Sequence, residues 1–232
     1  MKKIIIGLLL ILTLNASEIY ATFHVEADKN AKLAFISGGI VEKVNVEIGD
    51  KVKKGDVLAY LHNKDIKAMR DVAKTTLKYA KKDFQRQLKI KNLIDEARFD
   101  GVAFKYENAK NQLAYQEALL EKTYLKSPFE GIIYYKNLVT GDAVTGMNPK
   151  TVLKLQSISK RKLIISYDQK HRKSVKVGDI FKYKIDGDDK TYTGAIYKIY
   201  PSANAKSRKI QAEVKTRDIM PNLFGDGYIE VK

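Results

Sequence analysis

Metal binding, nucleophilic attack and proton transfer are the chemistries these residue types could supply, and their spacing supports none of them. His24, His62 and His171 are the three histidines. They lie in three different segments, without the close spacing of metal-ligating histidines. Met1, Met69, Met147 and Met220 are equally scattered and outline no soft-metal site. There is no Cys, hence no thiolate nucleophile and no disulfide. A glycine-rich phosphate loop of the usual form is missing, as is any paired catalytic signature. The sequence therefore predicts no catalytic residue, no metal site and no cofactor. Function must lie in the surfaces that the fold presents to a partner.

Those surfaces are positioned by a pattern written twice. Residues 39–52 read Gly-Ile-Val-Glu-Lys-Val-Asn-Val-Glu-Ile-Gly-Asp-Lys-Val, and residues 131–144 read Gly-Ile-Ile-Tyr-Tyr-Lys-Asn-Leu-Val-Thr-Gly-Asp-Ala-Val. In each copy alternating apolar residues mark a half-buried strand, and a Gly-Asp pair followed by Val marks its turn. Gly39, Gly49, Gly55, Gly131 and Gly141 are the structural glycines of the two units, since glycine takes backbone conformations that other residues resist. Neither copy is long enough to close a core, so the two must pack together as one small domain.

Between the copies the composition changes. Residues 65–124 hold no Pro and one Gly, and are rich in Ala, Lys, Leu, Gln and Glu, the good helix formers. Ile66, Ala73, Leu77, Ala80 and Phe84 keep a heptad spacing, and Tyr106, Leu113 and Leu120, with Ala109 between, continue one on the return. The pattern weakens over residues 91–101, where Asn92, Asp95, Glu96 and Asp100-Gly101 cluster. Two antiparallel helices of about 25–30 residues with a turn there are expected, an arm of roughly 40 Å at 1.5 Å per residue. Pro128 ends the return helix.

Strands follow over 163–167, 180–185, 191–200, 209–215 and 228–231. Turn groups separate them, among them Pro201-Ser202-Ala203-Asn204 and Asn222-Leu223-Phe224-Gly225-Asp226-Gly227. This spacing predicts a small β-barrel. The expected organisation is a leader (1–17), a leading strand that joins the barrel (18–31), a first β half (32–63), a helical hairpin (64–125), a second β half (126–157) and the barrel (158–232).

Lys2 and Lys3, an apolar run over residues 4–14 and the small residues Ala16 and Ser17 read as a cleaved export signal. The run is shorter than the roughly 20 apolar residues that span a bilayer. The net charge is +16. It is spread over the arm (Lys78, Lys81, Lys82, Arg86, Lys89, Lys91) and the last third (Lys160, Arg161, Lys162, Lys170, Arg172, Lys173). Export argues against nucleic acid as the partner of this charge. It leaves anionic lipid head groups, an acidic protein, or a basic surface without a partner.

This layout resembles the HlyD-like membrane fusion proteins, the periplasmic adaptor subunits of tripartite efflux pumps. Gly38-Gly39-Ile40-Val41 through Gly49-Asp50-Lys51-Val52-Lys53-Lys54-Gly55-Asp56-Val57-Leu58 is similar to the first half of their lipoyl-like domain. Lys126-Ser127-Pro128-Phe129-Glu130-Gly131-Ile132-Ile133 is similar to the start of the second half. Gly194-Ala195-Ile196-Tyr197-Lys198-Ile199-Tyr200-Pro201 and Leu223-Phe224-Gly225-Asp226 resemble their barrel. The match covers most of residues 30–232, and its order of half, hairpin, half and barrel is its most specific part. It implies a mixed α and β fold: a split lipoyl-like β domain with an inserted α-helical coiled-coil hairpin, followed by a small β-barrel. It also implies a protein without enzymatic activity in the periplasm at the inner membrane, serving export of drugs or toxic compounds. The implied partners are an inner-membrane RND transporter, an outer-membrane channel of the TolC type, and copies of itself in a ring of six.

The family's channel-binding tip carries an Arg, a Leu four positions on and a Ser seven further. Here that spacing falls on Arg86, Ile90 and Ala97, so the Arg is kept, the Leu conservatively replaced and the Ser hydroxyl lost. The resemblance implies that Arg86 donates to carbonyls or carboxylates of a channel, while Ile90 seats between its helices. Members often continue past the barrel into a membrane-proximal domain. This sequence stops at Lys232, directly after its last expected strand, and reads as a short member.

Other classes fit less well. A biotin or lipoyl carrier shares the duplicated unit, but presents a modified lysine on a tight hairpin between the halves. Here Lys64 and Lys67 lead into the helical insert and lack the Glu-Ala-Met flank. Service to an ATP-driven exporter stays open, as does a basic periplasmic protein that binds cell wall or lipid.

Overall fold

The computed structural model describes residues 17–216 and 219–231; the expected export signal, apart from Ser17, lies outside them. In chain order, β1 (Ser17–Ala27) leads to β2 (Asn30–Leu33), β3 (Gly39–Val44), β4 (Lys51–Val52) and β5 (Val57–Leu61). Helices α1 (Lys64–Lys89) and α2 (Glu96–Glu121) follow. Then come β6 (Tyr124–Lys126), β7 (Gly131–Lys136), β8 (Ala143–Val144) and β9 (Leu153–Ser157). The chain ends with β10 (Arg161–Asp168), β11 (Ile180–Ile185), β12 (Tyr192–Asn204), β13 (Lys209–Thr216) and β14 (Phe224–Val231). Two compact units result, Asn30–Ile158 and the remainder. Because Asn30 and Ala31 pair with Gln156 and Leu155, they belong to the first of these units rather than to the leading strand expected to run to residue 31. Among the described residues no helix is long and apolar enough to cross a membrane.

The duplicated β unit folds by exchange. One sheet runs β2-β9-β7-β4 and the other β6-β5-β3-β8, so each draws two strands from each copy. The Gly-Asp turns do the joining. Gly49 N–H donates to the Ile133 carbonyl (2.8 Å) and Ile133 N–H to that of Asp50 (3.0 Å). The same clasp recurs at the matching positions: Gly141 N–H donates to Val41 (2.9 Å), and Val41 N–H to Asp142 (2.8 Å). Each turn is closed by its aspartate, which accepts the N–H three residues back, Glu47 to Asp50 at 2.8 Å and Val139 to Asp142 at 2.9 Å. Lys53 to Asp56 and Lys176 to Asp179 repeat it. Within this frame Val41, Leu58, Leu61, Ile133, Leu153 and Leu155 are fully buried, and the halves share one core.

Gly49 and Gly141 have φ of 98° and 95°, as the third residue of a type II turn requires. A Cβ at either would meet nothing within 4 Å, so a side chain there costs backbone strain and no clash. Gly49→Val and Gly141→Val should each lower stability by about 1–3 kcal/mol. Asn, which tolerates positive φ, should cost clearly less. Urea midpoints of the four variants check this, and equal losses for Val and Asn would contradict it.

The second unit is a closed barrel in the order β1-β10-β13-β12-β11-β14. Phe23, Phe181 and Tyr183 pack ring against ring at its centre, with centroids 5.1–5.9 Å apart. Two expected turns are strand instead. Pro201–Asn204 extends β12 through an irregular pairing between Ile199 and Ala203, where a proline's missing N–H costs no ladder bond. Phe224–Gly227 starts β14, and glycine there answers crowding: a Cβ at Gly225 would lie 2.1 Å from the Lys184 carbonyl oxygen.

Candidate docking site at the hairpin tip

Helices α1 and α2 have 26 residues each, about 39 Å at the usual rise. Ala73, Phe99 and Ala109 are buried between them, and Ile66, Leu77, Ala80, Phe84, Tyr106, Leu113 and Leu120 are half-buried. The alternating three- and four-residue spacing puts these on one stripe of each helix. Near the tip the rings of Phe84, Phe99 and Tyr106 lock the helices, Phe84 lying 5.7 Å from Phe99 and 5.1 Å from Tyr106. Lys91 Nζ closes over Phe99 at 4.9 Å.

The root is fixed by a buried polar pair. Asn63, fully buried, donates through Nδ2 to Thr123 Oγ1 (2.8 Å), and Thr123 donates to the Leu120 carbonyl (2.6 Å). The Thr123 carbonyl accepts from Leu61 N–H of β5 (2.9 Å), tying both helix roots to the sheet. Asn63 Oδ1 already lacks a partner. Thr123→Val should strip Nδ2 of its acceptor as well and cost about 1–3 kcal/mol. Thr123→Ser, which keeps the hydroxyl, should cost less; a Val variant that melts like wild type would contradict the clamp.

The turn falls on residues 90–95, at the start of the expected stretch, and Asp100-Gly101 lies inside α2. Arg86 is in the last turns of α1 with its side chain 74% exposed, held by Asp83 Oδ1 at 3.1 Å. Ile90 caps α1 and is 41% exposed. Ala97 is exposed in the first turn of α2. All three therefore stand at the same end of the hairpin. Cations Arg86 and Lys89 sit at the C-terminus of α1, and Asp95 and Glu96 at the N-terminus of α2, each complementing the local helix dipole.

The spacing argument missed the most exposed apolar residue here. Leu93 is 84% exposed and Leu88 50%. Leu93 stands in the turn between Asn92 and Ile94, outside either helical stripe, and no spacing signal along the chain singles it out. With Ile90 these two make an apolar tip bordered by basic side chains, suited to a groove between partner helices. Gly39 opens β3, Gly55 sits in the Lys53–Asp56 turn, and Gly131 opens β7, so the five glycines belong to the domain that carries the hairpin. His24 lies 3.1 Å from Glu26, and among the described residues no three His, Cys, Asp or Glu gather as a metal group would need.

A family profile described as CzcB-like, barrel-sandwich hybrid domain matches residues 30–153. The cobalt-zinc-cadmium resistance protein CzcB of Cupriavidus metallidurans is 28% identical over an alignment of 154 positions that covers 56% of this chain and 29% of that protein. The chain thus spans under a third of that relative's length. Among solved structures, a MacA-MexA chimeric protein containing the Pseudomonas aeruginosa MexA alpha-hairpin domain superposes with a TM-score of 0.83 at 19% identity, covering 93% of this chain and 82% of that one. A membrane fusion protein from Streptococcus pneumoniae R6 superposes with 0.72 at 17% identity, covering 92% and 98%. With the profile matching over half of the sequence, this chain belongs to the family of the CzcB-like barrel-sandwich hybrid domain.

Proposed function

We propose that this chain is a periplasmic adaptor, exported by a cleaved signal and held at the inner membrane, that links an RND transporter there to an outer-membrane channel of the TolC type. The observation that carries this reading is the exposed apolar tip of Leu88, Ile90 and Leu93 at the end of an arm that is clamped at both ends. Met69, Val72 and Tyr79 on α1 and Phe104 and Tyr115 on α2 are also more than half exposed. These outer faces suit side-by-side packing of hairpins in a closed ring, an arrangement that needs a heterologous interface, with six copies. The adaptor performs no chemistry, and choice among drugs or other toxic compounds rests with the transporter.

A photo-crosslinking side chain at Ile90 in living cells tests the proposal. A crosslink to an outer-membrane channel is expected. Crosslinks to cell wall or lipid alone would replace the adaptor by a basic periplasmic binding protein, and co-purification of an ATP-driven exporter would replace the RND transporter.

A further inference from the structure

A groove opens between α1 and α2 in the half of the arm nearer its root. Its cavity is about 360 Å³, and Met69, Val72, Ala73, Thr76, Ala109 and Gln116 are among the residues that line it. Buried Ala73 and Ala109 form its floor, and Met69 and Val72, 62% and 67% exposed, stand at its rim. Two acceptors interrupt this apolar lining. Gln116 Oε1 is buried and has no hydrogen-bond partner among the described residues. The Thr76 hydroxyl donates to the Val72 carbonyl at 3.1 Å, so its own oxygen is free to accept. A buried acceptor without a donor is destabilising. What the groove lacks is a donor on a slender apolar stem, and that is the make-up of a lysine side chain.

The arm carries such side chains on its other flank. Lys74 follows Val72 by two positions, about 200° round the helix and about 3 Å further along it, so it stands on the side away from its own chain's groove. It is exposed and forms no ion pair among the described residues. Lys67 and Lys81, one heptad to either side, extend the same row. Every residue lining the groove is uncharged, so on a chain of net charge +16 a lysine row can approach this flank without meeting its own sign. In a ring whose axis runs with the arms, each residue keeps its height from copy to copy. The groove of one arm and Lys74 of the next then come level.

We infer that the groove between α1 and α2 holds the Lys74 side chain of a neighbouring copy, its methylenes against Met69 and Val72 and its ammonium donating to Gln116 Oε1. The inference rests on the ring arrangement proposed above, and it supplies the two different flanks that a heterologous interface needs.

The chain has no Cys, so single cysteines report the contact. Val72→Cys at the rim, and Asp71→Cys three positions before Lys74 on the opposite flank, are placed in separately tagged full-length copies expressed together. A short thiol-to-thiol crosslinker should join the two variants to each other and neither to itself. Lys74→Met in the Asp71→Cys copy should lower the yield of this mixed product about tenfold or more, the worth of a charge-assisted hydrogen bond. Lys173→Met, an equal loss of charge at an exposed lysine outside the arm, should leave it near wild type. Val72→Cys joined only to itself would place two grooves face to face and overturn the inference. So would the absence of any crosslink, or equal yields with Lys74→Met and Lys173→Met. Channel crosslinking from Ile90 in the same cells separates the two failures. A channel crosslink without the mixed product removes the groove assignment and leaves the adaptor reading standing; the mixed product without a channel crosslink does the reverse.

Discussion

Gly131→Ala should destabilise the split domain by about 3 kcal/mol, a large share of the roughly 5–15 kcal/mol that holds a domain together. Gly131 sits where β7 meets both neighbours, opposite Val52 of β4 and Ser157 of β9. A Cβ built there lies 2.5 Å from the Gln156 carbonyl oxygen and 2.8 Å from Leu155 Cδ1. Neither can yield cheaply: the carbonyl belongs to the strand backbone, and Leu155 is wholly buried in the shared core. Relief requires β7 and β9 to part. Gly101→Ala is the same chemical change with the opposite sign. Gly101 lies within α2 with nothing within 4 Å of its Cβ, so Ala should stabilise by about 0.5–1 kcal/mol through helix propensity. Urea unfolding followed by far-UV circular dichroism, dominated by the two long helices of this unit, reads both. A wild-type midpoint for Gly131→Ala would show that the close approach is not a constraint on the fold.

Under the adaptor function proposed above, Leu93→Asp and Arg86→Asp should each reduce drug or toxic-compound resistance to that of a strain lacking the protein, while leaving folding intact. The side chains are exposed, Leu93 at 84% and Arg86 at 74%, and exposed substitutions usually stay within about 0.5 kcal/mol. Docking reverses the balance. An aspartate carried into an apolar groove without a partner costs several kcal/mol, and each 1.4 kcal/mol is about tenfold in affinity. At position 86 the change also removes a guanidinium donor and sets a carboxylate beside Asp83. Leu93→Ala, which removes contact but adds no charge, should retain partial resistance. Complementation assays with matched protein levels and melting curves check these outcomes. Full resistance in both Asp variants would remove the tip from the docking surface.

Much of the architecture was legible because it depends on near neighbours. Alternation over residues 39–46 and 131–138 marks strands, and a Gly-Asp pair marks a turn whose aspartate caps the N–H three residues back. A heptad spacing over Ile66 to Phe84 marks a helix with one buried stripe. The mixed α and β class, with a hairpin set into a duplicated β domain ahead of a barrel, follows from these signals in order. Where long-range contacts overrode local chemistry, the reading slipped. Pro201 and Gly225 look like turn residues but lie in strands, one at a pairing irregularity and the other under a neighbouring backbone. Gly101 looks like a turn and is helical: Phe99 and Tyr106, on either side of it in α2, both pack against Phe84 of α1.

The proposed docking tip divides the same way. Arg86, Ile90 and Ala97 came from spacing along the chain, whereas Leu93 emerges only once the turn between α1 and α2 is placed. By itself the sequence determined where the duplicated β units, the two helices and most of the barrel strands lie, since period and turn chemistry are properties of contiguous residues. Tertiary structure alone decided which strands pair, that the turn at Gly49 clasps Ile133 while the one at Gly141 clasps Val41, and which apolar side chains remain outside. Those outcomes depend on contacts between distant segments, where the alternating pattern of either copy is equally compatible with several partners.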